Sequence, residues 1–307
     1  MIDKALQMYS FANPRAELIR HNENMTYKVV DDAGAYVLRI HQPIDGFNLD
    51  VLLADMSKRD YIAGEMAILQ HMEGQGILAT QRVIPSTCGN AVALLDNKLP
   101  VTVLEWIEGV TLENVAITAE IASNLGIMIG KMHNTLTHAA LSPKHRYRYD
   151  NELLSRMIAE ASKALVQGHF TQQQAAIISA TLCYIQEYLS NAEGNFIIIH
   201  SDLSKSNIIL ADNELIPIDF SLSGYCVPEM DLASAYAHMN DEVLNRAILS
   251  GYESVSEHKP CNTGIDVCFC LQILLYVVCQ HNKIAGEPWF RDRLTRWCDE
   301  RFVPLLS

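Results

Sequence analysis

The sequence predicts an α+β fold in two lobes, and a change of pattern along the chain indicates it. From about 24 to 107, apolar residues mostly alternate with polar ones, which is typical of half-buried strands. After Gly109 they mostly recur every three or four residues, as in amphipathic helices, except in a strand-rich stretch at about 196–220. We therefore expect a small β-rich N-terminal lobe at 1–107 and a larger helical C-terminal lobe at 108–307, with a ligand cleft between them.

The N-terminal lobe is predicted to contain a β-hairpin, one helix and two further strands. Alternating runs at Met25–Val30 and Ala35–Ile40 are joined by the turn sequence Asp-Asp-Ala-Gly, which indicates the hairpin. Apolar residues at helical spacing predict a helix over Asp60–Met72. Two apolar runs on either side of a polar turn predict strands at Ala91–Leu95 and Leu99–Leu104.

The C-terminal lobe is predicted to be mostly helical. Thr118 is placed to cap its first helix, and the most apolar run, Val267–Cys279, is too short for a membrane span and predicts a buried helix. Two short apolar strands, at Phe196–Ile199 and Leu215–Ile218, are expected on either side of a polar loop. The predicted helices cover Thr118–Leu136, Asn151–Val166, Thr171–Asn191, Thr263–His281 and Trp289–Phe302.

The composition indicates a folded, acidic protein. Apolar residues make up 49% of the 307 residues and charged residues 19%, which allows a sizeable core. The 36 acidic and 23 basic residues give a net charge of −13. This charge disfavours nucleic acid and anionic membranes as partners, because both require clustered positive charge. The same charge is compatible with a cationic substrate.

The N-terminus and the cysteines indicate a cytoplasmic protein. No signal peptide is visible, and none of the eight cysteines forms a CxxC pair, so we expect reduced thiols. A metal cluster of His258, Cys268 and Cys270 is disfavoured, because side chains two residues apart on a helix point away from each other.

The strand-rich stretch at 196–220 carries the strongest chemical signal. One strand leads into His200 and Asp202, the next begins after Asn207, and the following one ends near Asp219. We therefore expect the three oxygen-bearing side chains to converge at one end of a hairpin. Carboxylate and amide oxygens suit a hard cation such as Mg²⁺, and a separate carboxylate nearby suits a base that takes a proton from an alcohol.

This spacing resembles the catalytic and metal-binding loops of the protein-kinase-like fold, HxDxxxxN followed by an Asp at a strand end. Residues 200–202 read His-Ser-Asp, and 219–221 read Asp-Phe-Ser. The stretch at 228–233 resembles the Pro-x-x-Asp-Leu-Ala segment of the aminoglycoside phosphotransferase and choline kinase family. The chain is thus similar to that family, which implies a protein-kinase-like bilobal fold and transfer of a nucleotide's γ-phosphoryl group to small-molecule hydroxyls.

The resemblance also implies nucleotide-binding residues. Residues 24–29 resemble the family's nucleotide-loop hairpin, and 36–40 resemble the strand whose basic residue, here Arg39, holds the nucleotide phosphates. Glu65 stands where a glutamate of the family's helix forms an ion pair with that basic residue. Residues 103–109 resemble the hinge whose backbone forms hydrogen bonds with adenine. The implied nucleotide-binding residues are Asn24, Thr26, Arg39, Glu65, Glu105, Trp106, Ile107 and Lys205.

In the C-terminal lobe the resemblance implies a catalytic centre. Asp202 would be the catalytic base, Asn207 and Asp219 would hold Mg²⁺, and His200 and Asp231 would support the loop. The sequence departs from the family at residue 201, where Ser replaces the usual Gly and adds a side chain beside the base.

Some of these residues also have plainer interpretations. Asp231 would serve as the N-cap of a helix that starts there, and Arg39 with Glu65 would form a surface ion pair. Lys205 either contacts the γ-phosphate or is a solvated loop lysine. The basic, aromatic stretch at 144–149 is more typical of a solvated loop than of RNA or phosphate contact.

The predicted function is an ATP-dependent small-molecule kinase with ATP or GTP and Mg²⁺ as cofactors. Its acceptor stays open among aminoglycosides, aminoalcohols, homoserine and sugars, and its oligomeric state is left open. A protein serine/threonine kinase is disfavoured because Asp219 and Asp231 lie only twelve residues apart and no Ala-Pro-Glu follows. A nucleotide-binding protein without transfer activity is disfavoured because it has no use for Asp202, Asn207 and Asp219 together.

Overall fold

The computed structural model of the protein describes residues 1–43, 50–137, 139 and 146–307. Its N-terminal lobe is an antiparallel sheet of six strands with the order β1-β2-β3-β6-β4, and β5 pairs with β6. The strands are β1 (Arg15–His21), β2 (Met25–Val30), β3 (Ala35–Ile40), β4 (Val83–Ile84), β5 (Ala93–Leu95) and β6 (Leu99–Glu105). The helices of this lobe are α1 (Ile2–Leu6), α2 (Asp50–Leu53) and α3 (Lys58–Gln75).

The hairpin predicted from alternating residues is confirmed as β2 and β3. The predicted helix is confirmed as α3, which begins two residues earlier than expected because Ser57 caps it and accepts a hydrogen bond from the Asp60 N–H. It ends at Gly76, whose φ of 63° is readily adopted only by glycine. Strand β1 was not predicted, because it is an exposed edge strand without a buried face.

The C-terminal lobe is helical, which confirms the predicted α+β class. Thr118 caps the first long helix by accepting from the Ile121 N–H at 3.2 Å. The helices are α4 (Ala119–Thr137), α5 (Asn151–Val166), α6 (Gln172–Ala192), α7 (Glu229–Met239), α8 (Glu242–Val255), α9 (Asn262–Cys279), α10 (His281–Ile284), α11 (Phe290–Trp297) and α12 (Val303–Leu305). A π-helical turn at Cys298–Phe302 continues α11.

Helix α9 is the central helix of this lobe. By length and composition alone it is apolar enough to cross a membrane, and 56% of it is buried inside the fold. It packs against α5, α6 and α7, and its cysteines Cys268, Cys270 and Cys279 are buried. Burial of these apolar side chains makes α9 the core helix that the sequence predicts.

Helices α4 and α8 approach each other so closely that only glycine fits at their crossing. A Cβ atom added at Gly126 would lie 1.9 Å from the Ile248 carbonyl oxygen, and one at Gly251 would lie 2.0 Å from the Ser123 oxygen. This contact brings His133 of α4 to 3.0 Å from the Tyr252 hydroxyl of α8.

Short strands carry the polar loops to the cleft. They are β7 (Val110–Thr111), β8 (Ile197–Ile199), β9 (Ile208–Ala211), β10 (Glu214–Pro217) and β11 (Gly224–Cys226). The predicted strands on either side of the polar loop exist as β8 and β10, but they do not pair with each other. Strand β10 forms a hairpin with β9, and β8 pairs with β11, because the loop after β8 folds back against α7.

Candidate active site

A cavity of about 580 Å³ lies between the lobes. The carboxylates of Asp202 and Asp219 line it together with the amide of Asn207 and the guanidinium of Arg39. Asn24 and Thr26 of the predicted nucleotide loop also line it. The fold thus brings together both predicted metal residues, the predicted base and residues of the predicted phosphate site.

Asp202 lies on the loop after β8, and Asn207 at the other end of that loop fixes its position. The Asn207 side-chain amide donates to the Asp202 carboxylate at 2.8 Å and to its backbone carbonyl at 3.1 Å. Because the amide nitrogen faces Asp202, the amide oxygen lies on the other side and is the group suited to a cation. Burial raises the pKa of the Asp202 carboxyl, and the negative charge of Asp219 adds to the rise.

Asp219 follows β10 in the left-handed conformation, with φ 66°. Its Oδ1 atom is buried and has no hydrogen-bond partner in the described part of the chain. Although burial opposes it, the Arg39 and Arg20 guanidinium groups hold the pKa of Asp219 below its ordinary value. An ionised carboxylate with a buried oxygen that accepts no hydrogen bond, in the same cavity as the Asn207 amide, is a donor set that fits Mg²⁺.

Arg39 and Glu65 form a buried ion pair. Their side chains are 6% and 2% exposed, and Arg39 Nη1 lies 2.8 Å from Glu65 Oε1. The interpretation as a surface pair is therefore wrong. The same nitrogen lies 3.6 Å from Asp219 Oδ1, so Arg39 connects α3 to the predicted metal site.

Asp231 is fully buried and supports the catalytic loop. Its carboxylate accepts from the backbone N–H groups of His200 at 2.9 Å and Ser201 at 2.6 Å, and it lies 2.9 Å from His133 Nε2. The N-cap interpretation is wrong, because α7 begins at Glu229. The three contacts orient the loop that carries Asp202.

His200 connects the two halves of the loop region. Its Nε2–H donates to the Ile218 carbonyl at 3.0 Å, and its Nδ1 accepts from the Asp202 N–H at 3.2 Å. These contacts require a neutral imidazole with the proton on Nε2. His200 thus positions the base and the residue before Asp219.

Ser201 has a φ of 69°, in the left-handed region that glycine adopts more readily than any other residue. Its hydroxyl oxygen accepts from the Tyr149 hydroxyl at 2.7 Å, and its carbonyl accepts from Gln272 at 2.7 Å. These contacts, with the one to Asp231, hold a conformation that costs about 1 kcal/mol for a non-glycine residue.

Arg146 is a site residue that the sequence reasoning missed. It is 1% exposed and donates to the carbonyls of Phe220, Ser221 and Ser223, and to the Tyr61 carbonyl of α3. The solvated-loop interpretation of 144–149 is therefore wrong for Arg146, which holds the segment after Asp219. Residues 144 and 145 lie outside the described residues. No local pattern distinguishes Arg146, because its partners are backbone carbonyls distant in sequence.

Glu23 is a second missed residue. It lines the cavity at the tip between β1 and β2. Burial raises the pKa of its carboxyl to about 8, and Asp219 and Glu65 add to the rise. Glu23 is therefore mostly protonated near pH 7.

The predicted hinge and Lys205 do not line this cavity. The Trp106 N–H donates to the Ala35 carbonyl, and the Glu105 N–H donates to the Arg82 carbonyl, so both amides are used within the sheet. Lys28 Nζ lies 4.0 Å from the centroid of the Trp106 ring. Ile107 follows β6, and Lys205 is half-buried on the catalytic loop.

The fold and the cavity together define a class, the protein-kinase-like enzymes that transfer phosphoryl groups. Residues 15–261 match the family model of the phosphotransferase enzyme family, so the chain belongs to that family. It is accordingly a small-molecule kinase that acts on hydroxyl groups. The comparison with curated proteins found no match.

Solved structures of this fold are similar over nearly the whole chain. An amicoumacin kinase, hAmiN, in complex with AMP-PNP, Ca²⁺ and Ami is 18% identical with a TM-score of 0.78, covering 99% of this chain and 92% of that one. A microcompartment-associated aminopropanol kinase is 18% identical with a TM-score of 0.69, covering 97% and 93%. The choline kinase LicA from Streptococcus pneumoniae is 16% identical with a TM-score of 0.64, covering 98% and 97%.

Proposed function

We propose that this kinase transfers the γ-phosphoryl group of ATP to a hydroxyl group of a small acceptor bound between the lobes. The observation that carries the proposal is the meeting of Asp202, Asn207 and Asp219 in one cavity with Arg39. In this proposal 1–107 form the nucleotide-binding lobe, and 108–307 form the lobe that holds the acceptor.

Asp202 would serve as the base. It accepts the proton of the acceptor hydroxyl while that oxygen bonds to the γ-phosphorus, the bond to the β–γ bridging oxygen breaks, and ADP leaves. Its raised pKa makes the carboxylate a stronger base than an exposed one, and the Asn207 amide fixes its orientation at 2.8 Å. Proton transfer by a positioned group contributes roughly 10²–10⁴ in rate.

Asn207 and Asp219 would hold the metal ion. Mg²⁺, when bound, supplies positive charge that neutralises the nucleotide phosphates. The buried Asp219 Oδ1 without a hydrogen-bond partner supports this role. Arg146 and His200 keep the backbone on both sides of Asp219 in place, through the Phe220 and Ile218 carbonyls.

The N-terminal lobe would bind the nucleotide. Arg39 would hold the phosphates while Glu65 orients its guanidinium from α3, and Asn24 and Thr26 would contact them from the nucleotide loop. The adenine would bond the backbone at Glu105, Trp106 and Ile107. Since the Trp106 and Glu105 amides are used within the sheet, the remaining backbone groups of this segment would carry that contact.

The acceptor would occupy the C-terminal lobe's share of the cavity. Helices α7, α9 and α10, all within the described residues, contribute neutral polar and apolar side chains and Lys283 to this wall, and no carboxylate. Among the polar groups are His238, whose pKa is lowered by burial, and Gln272. The wall thus recognises an acceptor by hydrogen bonds, and we expect neutral hydroxyl compounds to be better acceptors than polycationic ones.

The test is coupled ADP release with MgATP and MgGTP against neutral sugars, homoserine, aminoalcohols and aminoglycosides. The proposal expects acceptor-dependent ADP release that is lost in Asp202→Asn. Tight ATP binding with no release for any acceptor would favour a binding protein instead. A protein-kinase activity is not expected, because β11 pairs with β8 soon after Asp219 and no long segment follows.

A further inference from the structure

Arg20 occupies a position in the sheet that places it beside the predicted phosphate site. Strand β1 has a register irregularity between Leu18 and Arg20, after which Arg20 lies opposite Thr26. Thr26 in turn lies opposite Arg39. Because residues opposite each other across antiparallel strands share a face, the irregularity aligns two arginines on either side of Thr26, facing the cavity.

Both arginines reach the same carboxylate. Arg39 Nη1 lies 3.6 Å from Asp219 Oδ1, and Arg20 Nη2 lies 3.5 Å from Asp219 Oδ2. A metal ion bound at Asp219 would add positive charge beside these two cations and would weaken the attraction that holds them to the carboxylate.

The two arginines differ in how firmly they are held. Arg39 is buried and fixed by Glu65 at 2.8 Å, whereas the Arg20 side chain is 53% exposed. Asp219 is the only carboxylate within ion-pair distance of Arg20 in the described residues. Arg20 is therefore the cation that can move when a metal ion takes its place at Asp219.

We propose that Arg20 is a second phosphate-positioning residue, which neutralises Asp219 before the nucleotide binds and moves to the nucleotide phosphates once metal-bound ATP arrives. This inference rests on the proposed function. When Asp219 binds the metal ion, Arg20 loses its partner while a polyanion enters the cavity that Arg20 lines. A planar guanidinium matches the oxygens of a phosphate group, and such a charge-assisted hydrogen bond is among the stronger contacts in proteins.

The test compares Arg20→Gln with Arg15→Gln, a matched control at the exposed, distant end of β1. Affinities for MgATP and for adenosine are measured by titration calorimetry. Loss of a charged hydrogen bond predicts about tenfold weaker MgATP binding in Arg20→Gln, with adenosine affinity unchanged. Mg²⁺ alone should bind more tightly to this variant, because its competitor at Asp219 is gone. Arg15→Gln should match the wild type in all three titrations, and Arg20→Lys should lie between Arg20→Gln and the wild type for MgATP.

The inference is overturned if Arg20→Gln binds MgATP as the wild type does, or loses ATP and adenosine affinity equally. Failure of the proposed function looks different: the wild type itself would show no preference for MgATP over adenosine. Thermal unfolding of Arg20→Gln at the wild-type temperature would show that replacing this half-exposed side chain leaves the fold intact.

Discussion

The catalytic loop at 200–207 and the nucleotide-loop region at 20–26 face each other across the cavity and are held in opposite ways. Backbone groups of the catalytic loop are fixed by side chains from the helices behind it, chiefly the buried Asp231 and the partly buried Gln272. The nucleotide-loop region belongs to an edge hairpin and brings charged side chains, Arg20 and Glu23, to the cavity. The chemistry of the base therefore depends on a rigid support, whereas the nucleotide side keeps charges that a ligand can rearrange.

The largest expected effect is the loss of activity when the base on the catalytic loop is removed. Asp202→Asn keeps the size of the side chain but cannot accept the acceptor's proton, so we expect kcat to fall about a thousandfold. Nucleotide affinity should change little, because Arg39 and Asp219 are intact. Steady-state ADP release and nucleotide titration measure both quantities. A near wild-type kcat would contradict the role of Asp202.

Removing the support should cost stability as well as activity. Asp231→Ala leaves the buried N–H groups of His200 and Ser201 without an acceptor and removes the partner of His133 Nε2, so we expect a loss of about 3–5 kcal/mol in the free energy of unfolding. Asp241→Ala is the control, because Asp241 is an exposed N-cap of α8 and its removal should cost about 1 kcal/mol. Urea denaturation measures the free energy of unfolding of both variants. Equal losses would show that the hydrogen-bond network around Asp231 adds no stability beyond that of an exposed helix cap.

Disturbing the close contact between α4 and α8 at Gly126 should have a smaller effect on stability. Gly126→Ala places a methyl group against the Ile248 carbonyl and should destabilise the protein by about 1–3 kcal/mol by forcing α4 from α8. Gly74→Ala, on α3 with no atom within 4 Å of the added Cβ, should leave stability unchanged or raise it by up to about 1 kcal/mol. If both variants melt together, the close approach of α4 and α8 does not limit stability.

The charged nucleotide side predicts a pH effect. Burial raises the pKa of Glu23 to about 8, so its carboxyl is largely neutral at pH 7 and becomes negative above pH 8. A negative Glu23 repels the nucleotide phosphates, and we expect the KM for ATP to rise severalfold from pH 7 to pH 9. Glu23→Gln should remove most of that rise. A wild-type KM that stays flat, or an equal rise in the variant, would contradict the placement of Glu23.

Local pattern was sufficient to predict much of the fold. Alternation predicted β2 and β3, helical spacing predicted α5, and the motif spacing predicted that Asp202, Asn207 and Asp219 would meet. Local sequence pattern could not predict the pairing of β8 with β11, because this pairing depends on where the loop after β8 packs against the rest of the lobe. Arg146 and Glu23 were missed because their roles arise from distant backbone carbonyls and distant charges. Edge strand β1 lacks the buried face that makes a strand visible in sequence.

The most direct test of the account is to follow the γ-phosphoryl group itself. Wild-type protein is incubated with γ-labelled ATP, Mg²⁺ and the best acceptor of the panel, and the acceptor is isolated and analysed for label. We expect the label to appear on an acceptor hydroxyl with the wild type and to be absent with Asp202→Asn, although both proteins bind ATP. Label released only as inorganic phosphate, or transferred equally by Asp202→Asn, would contradict it.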